Sequence, residues 1–287
     1  MTTRPPPTPD AAEAHHRRGL TLSAAGDYAG AVAAYTAALR LRPGHADALN
    51  NRGAARAALG DRPGAFADYD AALALDPALA AALNNRAVAR FLAGDLDAAL
   101  ADLKAAVRID PASASAYDNC ATVHDRMFEH AKAVACYDRA VELYEADGRQ
   151  AARLCTTRVF RGFAYYHLRQ TGAALADLRA AYRLAPRVCA FTVAAVVERD
   201  AREHGPTALA RCDEYLARNS GDYFTLFRRA LTHLALGHRA EFEADYDAAL
   251  WAPVGPEELA TGLAVLKALE KRLTGDTDDD PPTRRLP

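Results

Sequence analysis

The feature that most restricts this chain is a period. Gly26, Gly60 and Gly94 lie 34 residues apart, and Pro43, Pro77 and Pro111 keep the same step. A small residue earlier in each segment carries the register through Gly19, Gly53, Ala87 and Ala121 and, after one step of 41, through Gly162, Val196 and Ala230. A unit this short cannot bury its apolar face alone, so neighbouring copies must stack, and stability becomes a sum over copies and their interfaces. Composition agrees. Of 287 residues 51% are apolar but only 8% aromatic, so the apolar share is mostly alanine and leucine, the side chains of close-packed helices.

Numbering each copy from 1 to 34 with the small residue at position 8 gives units at 12–45, 46–79, 80–113, 114–147, 155–188, 189–222 and 223–256. Position 20 then reads Ala31, Ala65, Ala99, Ala133, Ala174 and Ala208 before breaking at Phe242. Position 24 reads Tyr35, Tyr69, Leu103, Tyr137, Leu178, Cys212 and Tyr246; position 27 reads Ala38, Ala72, Ala106, Ala140, Ala181, Tyr215 and Ala249. Small residues at 8, 20 and 27 let two helices approach, and the large residue at 24 fills the gap between them. Proline near position 32 ends the second helix because it has no amide proton to donate.

These residues resemble the tetratricopeptide repeat, a helix A and an antiparallel helix B joined by a tight turn. The resemblance implies an all-α, right-handed superhelical solenoid of seven antiparallel helix pairs, with a concave groove lined by A helices. The sixth unit fits worst, with Val196, Cys212, Tyr215 and Ser220 at its marker positions. The seven residues Gly148–Leu154 between units four and five span about two helical turns, so they either lengthen the following helix A or form a longer loop. Leu259, Leu263, Leu266, Leu269 and Leu273 recur at helical spacing and predict a capping helix over 257–273. The proline-rich segment 1–11 and the charged tail 274–287 are expected to be disordered.

Repeats and cap use nearly the whole chain, which leaves no room for a separate catalytic domain. The sequence lacks a phosphate-binding glycine loop, a GxSxG elbow, HExxH and CxxC, so neither an enzyme nor a cofactor is expected. No metal site is expected either. The adjacent His15 and His16 point in different directions from a helix and read as solvated, and the acidic run Asp276, Asp278, Asp279 and Asp280 lacks the glycine and glutamate of a calcium loop. A net charge of −2 offers no attraction to nucleic acid, and the longest uncharged run, Tyr28–Leu39, is too short for a membrane span. The opening MTTRPPPTPD has no apolar core of a secretory signal and the five cysteines show no paired spacing, so a cytoplasmic location is expected.

Two polar regularities remain. Arg52 with Asp68, Arg86 with Asp102, Arg161 with Asp177 and Arg229 with Asp245 repeat a spacing of 16 residues between helices A and B, which predicts structural ion pairs across each helix pair. In unit four the same positions hold Cys120 and Cys136, predicting facing, reduced thiols. On helix A, position 6 carries Asn51, Asn85 and Asn119, with Asn50, Asn84 and Asp118 beside them. This row looks like the asparagine ladder of O-linked N-acetylglucosamine transferases, which implies free amides that hold a peptide main chain. Asparagines bonded to the neighbouring repeat are the other reading.

The carboxylate clamp of chaperone-binding relatives is not reproduced: its positions are His16, Leu20, Asn51, Ala81 and Asn85, and only Asn51 matches. Further along, Val159, Phe160, Phe163 and Tyr166, then Phe224, Phe227 and Leu231, turn the expected groove aromatic; Phe163 and Tyr166 are taken as candidate anchors. For Phe224 and Phe227, cover by unit six or the cap is an equal alternative. The chain reads as a non-catalytic adaptor that binds a peptide or flexible segment of another protein. A self-associating structural protein and an accessory subunit of an enzyme complex are the rival readings.

Overall fold

The computed structural model describes residues 9–218, 220, 223–250 and 264–265. Every regular element among the described residues is an α-helix. The chain divides into two compact units, one up to Glu129 and the other from His130 onward. The first holds α1 (Pro9–Ala24), α2 (Tyr28–Leu41), α3 (Ala46–Ala58), α4 (Arg62–Leu75), α5 (Ala80–Leu92), α6 (Leu96–Ile109) and α7 (Ala114–Arg126). The second holds α8 (His130–Asp147), α9 (Ala151–His167), α10 (Thr171–Leu184), α11 (Pro186–Leu216), α12 (Tyr223–Ala235) and α13 (Arg239–Leu250).

α1 begins at Pro9, so Pro9, Asp10 and Ala11 are helical where an irregular segment was expected. Residues 1–8, most of the expected cap at 257–273 and the tail at 274–287 lie outside the described residues; of the cap, Ala264 and Val265 are helical. The insertion is split: Ala151–Leu154 lengthen α9, while the chain turns at Gly148 with φ of 65°.

The helix pairs close as their residue sizes require. A Cβ on Gly19 would sit 2.4 Å from the Tyr35 ring, and one on Gly53 would sit 2.7 Å from the Tyr69 ring, so in these two pairs position 8 has to be glycine. Ala87 is paired with the smaller Leu103, and both are buried. The turn between helices sits at one register position. Gly26, Gly60, Gly94 and Gly237 take φ of 79–85° there, and Phe128 and Arg169 take φ of 59° and 60° without being glycine. Glu203, at the same position of the sixth repeat, is inside α11. Helices A and B of that expected pair run together as one 31-residue element, kinked at His204 (φ −141°, ψ 22°) before Pro206, whose missing amide proton breaks the hydrogen-bond ladder.

All four predicted ion pairs form, each through two parallel bonds. Arg52 reaches Asp68 at 2.9 and 2.6 Å, Arg86 reaches Asp102 at 2.8 and 2.8 Å, Arg161 reaches Asp177 at 2.6 and 2.6 Å, and Arg229 reaches Asp245 at 2.7 and 2.6 Å. The third guanidinium nitrogen of each reaches back to the preceding helix B, at Thr36, Asp70, Asp138 and Asp213 respectively. One arginine therefore fixes both the angle within a repeat and the distance to the previous one. Hydrogen bonds to Asp102 and to Asp245 foremost hold Arg86 and Arg229 above the usual arginine range.

Candidate functional site

In the first unit α1 touches α3, α3 touches α5 and α5 touches α7, so the A helices form one continuous face. The asparagine row runs along its seams. Asn119 Nδ2 donates to Asn84 Oδ1 at 2.8 Å, Asn85 Nδ2 donates to Asn50 Oδ1 at 3.0 Å, and Asn51 Nδ2 meets His16 Nε2 at 3.1 Å. Each link spans 35 residues, one repeat plus one position. Asn50 Nδ2 also donates to Asn51 Oδ1 at 3.3 Å and joins the links. The expectation of free amides therefore fails: Asn51, Asn85 and Asn119 all bond to the preceding repeat, as the other reading held. Asn50 is buried, Asp118 is buried, and Asn51, Asn84, Asn85 and Asn119 are half-buried. An amide carries two donor hydrogens and an oxygen with two lone pairs, so one seam bond does not exhaust it.

The row ends on a cluster that the sequence did not suggest. His16, expected at the surface, is 8% exposed, as is His45 at the start of α3. Their ring centroids are 4.6 Å apart, and His16 also lies 5.7 Å from Tyr35. Glu13, one turn before His16 on α1, places a carboxylate oxygen 3.7 Å from His16 Nδ1 and the other 3.7 Å from His45 Nε2. Burial, then the neighbouring His16, pushes the His45 pKa below its ordinary value. Position 5 of unit one and position 34 of the same unit are remote in sequence but adjacent once helices A of successive repeats stack; that stacking was the only available signal.

In the second unit the expected aromatic groove is a core. Phe163 is 4% exposed and packs with Val159, Phe227 and Leu231, which are also buried, so Phe163 is no surface anchor. Tyr166 is half-buried, with the Arg228 guanidinium 4.3 Å from its ring and its hydroxyl 3.5 Å from Cys212 Sγ; burial pushes its pKa up. Arg228, buried and bonded to Asp200, is a further residue that the sequence reading missed. Phe224's side chain lies outside what is described. Cys155 and Cys189, 34 residues apart, are both buried, and a hydrogen bond from the Cys189 thiol to Cys155 foremost holds that thiol above its usual range. Cys120 is buried in the first unit and Cys136 half-buried in the second; both are thiols.

Models of the Tetratricopeptide repeat match residues 16–80, 58–114 and 114–147. Residues 16–147 are tetratricopeptide repeats. No curated protein matches it. Among solved structures, TTC0263, a thermophilic tetratricopeptide-repeat protein of Thermus thermophilus, is 24% identical with a TM-score of 0.51, covering 61% of this chain and 92% of its own. MamA from Desulfovibrio magneticus RS-1 is 21% identical with a TM-score of 0.51, covering 61% and 95%. The hetero-tetramer Cut9-Hcn1 is 14% identical with a TM-score of 0.57, covering 91% of this chain and 43% of its own. These similarities concern the solenoid fold. The tetratricopeptide repeat is generally a protein-interaction fold, and among the described residues no helix is long and apolar enough to cross a membrane.

Proposed function

We propose that this protein is a non-catalytic adaptor that holds an extended segment of another protein against the A-helix face of its first unit. The observation that carries the reading is the seam-bonded row of half-buried amides at Asn51, Asn85 and Asn119. Because each amide is already tied to the scaffold, its remaining N–H and oxygen keep a fixed direction, and a bound main chain would not have to order them. The repeat spacing would present one such group per repeat along an extended strand, irrespective of the partner's side chains.

Site-specific photo-crosslinking tests this. A crosslinking residue at Ala54, exposed on α3, is compared with one at Lys104, exposed on α6. With a library of unstructured peptides as probe, adducts are expected from Ala54 alone. Equal yields from both positions, or none, would remove the A-helix face as the binding surface. Asn85→Ala with Asn119→Ala should then lower the Ala54 yield while helix content is kept.

A further inference from the structure

We propose that Glu13, His16 and His45 form a binding site for a zinc-type divalent cation that ties α1 to the start of α3, joining the first two repeats. Three observations converge. One nitrogen or oxygen from each of the three side chains lies within 4.8 Å of the others. His16 Nδ1 and His45 Nε2 are buried and have no hydrogen-bond partner, which a folded protein rarely tolerates without a ligand to satisfy them. The 3.7 Å from the Glu13 oxygens to these two nitrogens is too long for a hydrogen bond but near the roughly 3.3 Å that separates tetrahedral ligands on 2.0–2.1 Å bonds.

The donor set selects the metal class. Two imidazoles and one carboxylate suit zinc and its first-row neighbours rather than calcium or magnesium, which prefer oxygen alone. Three protein ligands leave a fourth position, which solvent can reach past Glu13, whose side chain is 48% exposed. A water, or a carboxylate or imidazole of a bound partner, would complete the tetrahedron.

The asparagine row supplies the outer support. A ligating imidazole donates its other N–H to a nearby oxygen. The present order of donors, Asn85 to Asn50 to Asn51 to His16, aims an amide N–H at His16 Nε2. When Nδ1 takes the metal, Nε2 must carry the proton. Half-turns of Asn51, Asn50 and Asn85 reverse the chain, so that Asn51 Oδ1 accepts from His16 and each amide donates to the next. Metal binding would thus be felt one repeat away.

The test uses the full chain, stripped with a chelator and desalted, titrated with Zn²⁺ by calorimetry and with Co²⁺ by visible absorption. One ion per chain that survives desalting, a tetrahedral cobalt spectrum without thiolate charge-transfer bands, and shifted side-chain amide resonances of Asn51, Asn50 and Asn85 are expected. Glu13→Gln, at a half-exposed position that cannot unfold the protein, should weaken binding at least tenfold, and His45→Asn should abolish it. Binding unaltered by both variants, thiolate bands in the cobalt spectrum, or an ion lost on desalting would each overturn the proposal.

Discussion

The two compact units share one period and differ in how their helices turn. In the first, Gly26–Asp27, Gly60–Asp61 and Gly94–Asp95 combine a left-handed glycine with an aspartate that caps the next helix, accepting from the amides of Gly30, Gly64 and Ala98 at 2.9, 3.0 and 3.3 Å. The pattern ends at Phe128–Glu129, the last pair of the first unit, and in the second unit the corresponding pairs are Arg169–Gln170, Glu203–His204 and Gly237–His238. Gln170 makes no side-chain cap, and Glu203 makes no turn at all. The ion pairs persist where the turn chemistry has decayed: α9 and α10 are joined by Arg158 and Arg161 on Asp177, and α12 and α13 by Arg229 on Asp245. Turn residues set where a helix ends; the contacts between helices keep the pair together.

The largest effect should come from a carboxylate that serves two arginines, as Asp68, Asp102 and Asp177 do. Asp68 takes bonds from both Arg52 and Arg56, whose side chains are 16% and 27% exposed, whereas Asp245 takes Arg229, with His233 3.8 Å away. Asp68→Ala takes the close carboxylate from two partly buried cations, leaving Arg52 only Thr36 and Arg56 the Gly64 carbonyl and the more distant Asp61, and should cost about 3–5 kcal/mol. Asp245→Ala leaves Arg229 its bond to Asp213 and should cost roughly half as much. Urea unfolding followed by circular dichroism measures both, and equal losses would break the distinction. Next in size is Gly53→Ala. Its methyl would enter the Tyr69 ring, so about 1–3 kcal/mol should be lost. Gly172→Ala in α10 meets nothing within 4 Å and should instead gain up to about 1 kcal/mol from helix propensity.

The repeat was legible because its markers are covalently local and recur at one spacing. Gly19 against Tyr35 and the four arginine–aspartate pairs follow from register alone. The asparagines were read in the right place with the wrong partner, since the sequence shows the row but not that a link of 35 residues lands Asn85 on Asn50. Phe163 was misplaced for a related reason. Register assigns it to an A helix, but its burial depends also on Phe227, Leu231 and Arg228 of α12, two A helices further on, a contact the repeat does not predict. The Glu13–His16–His45 cluster was missed because only His16 holds a position of the row, the one that Asn50 and Asn84 fill, and neither the change to histidine nor Glu13 and His45 recur.

The smallest prediction isolates the turn itself. Asp61 and Gln170 hold the same register position and nearly the same backbone, with φ and ψ of −77° and 73° against −94° and 64°. Gln170's longer side chain makes no cap bond, so the Ala173 amide in the first turn of α10 is left to other partners. Gln170→Asp should therefore install the missing bond and stabilise the protein by roughly 0.5–1 kcal/mol, while Asp61→Ala should lose about the same. A matched gain and loss in urea midpoints would mean that the second unit's turn lacks only its capping carboxylate. A loss at Asp61 with no gain at Gln170 would place the difference in the strained left-handed Arg169, with φ of 60°, whose side chain cannot relax as Gly60 does at 85°.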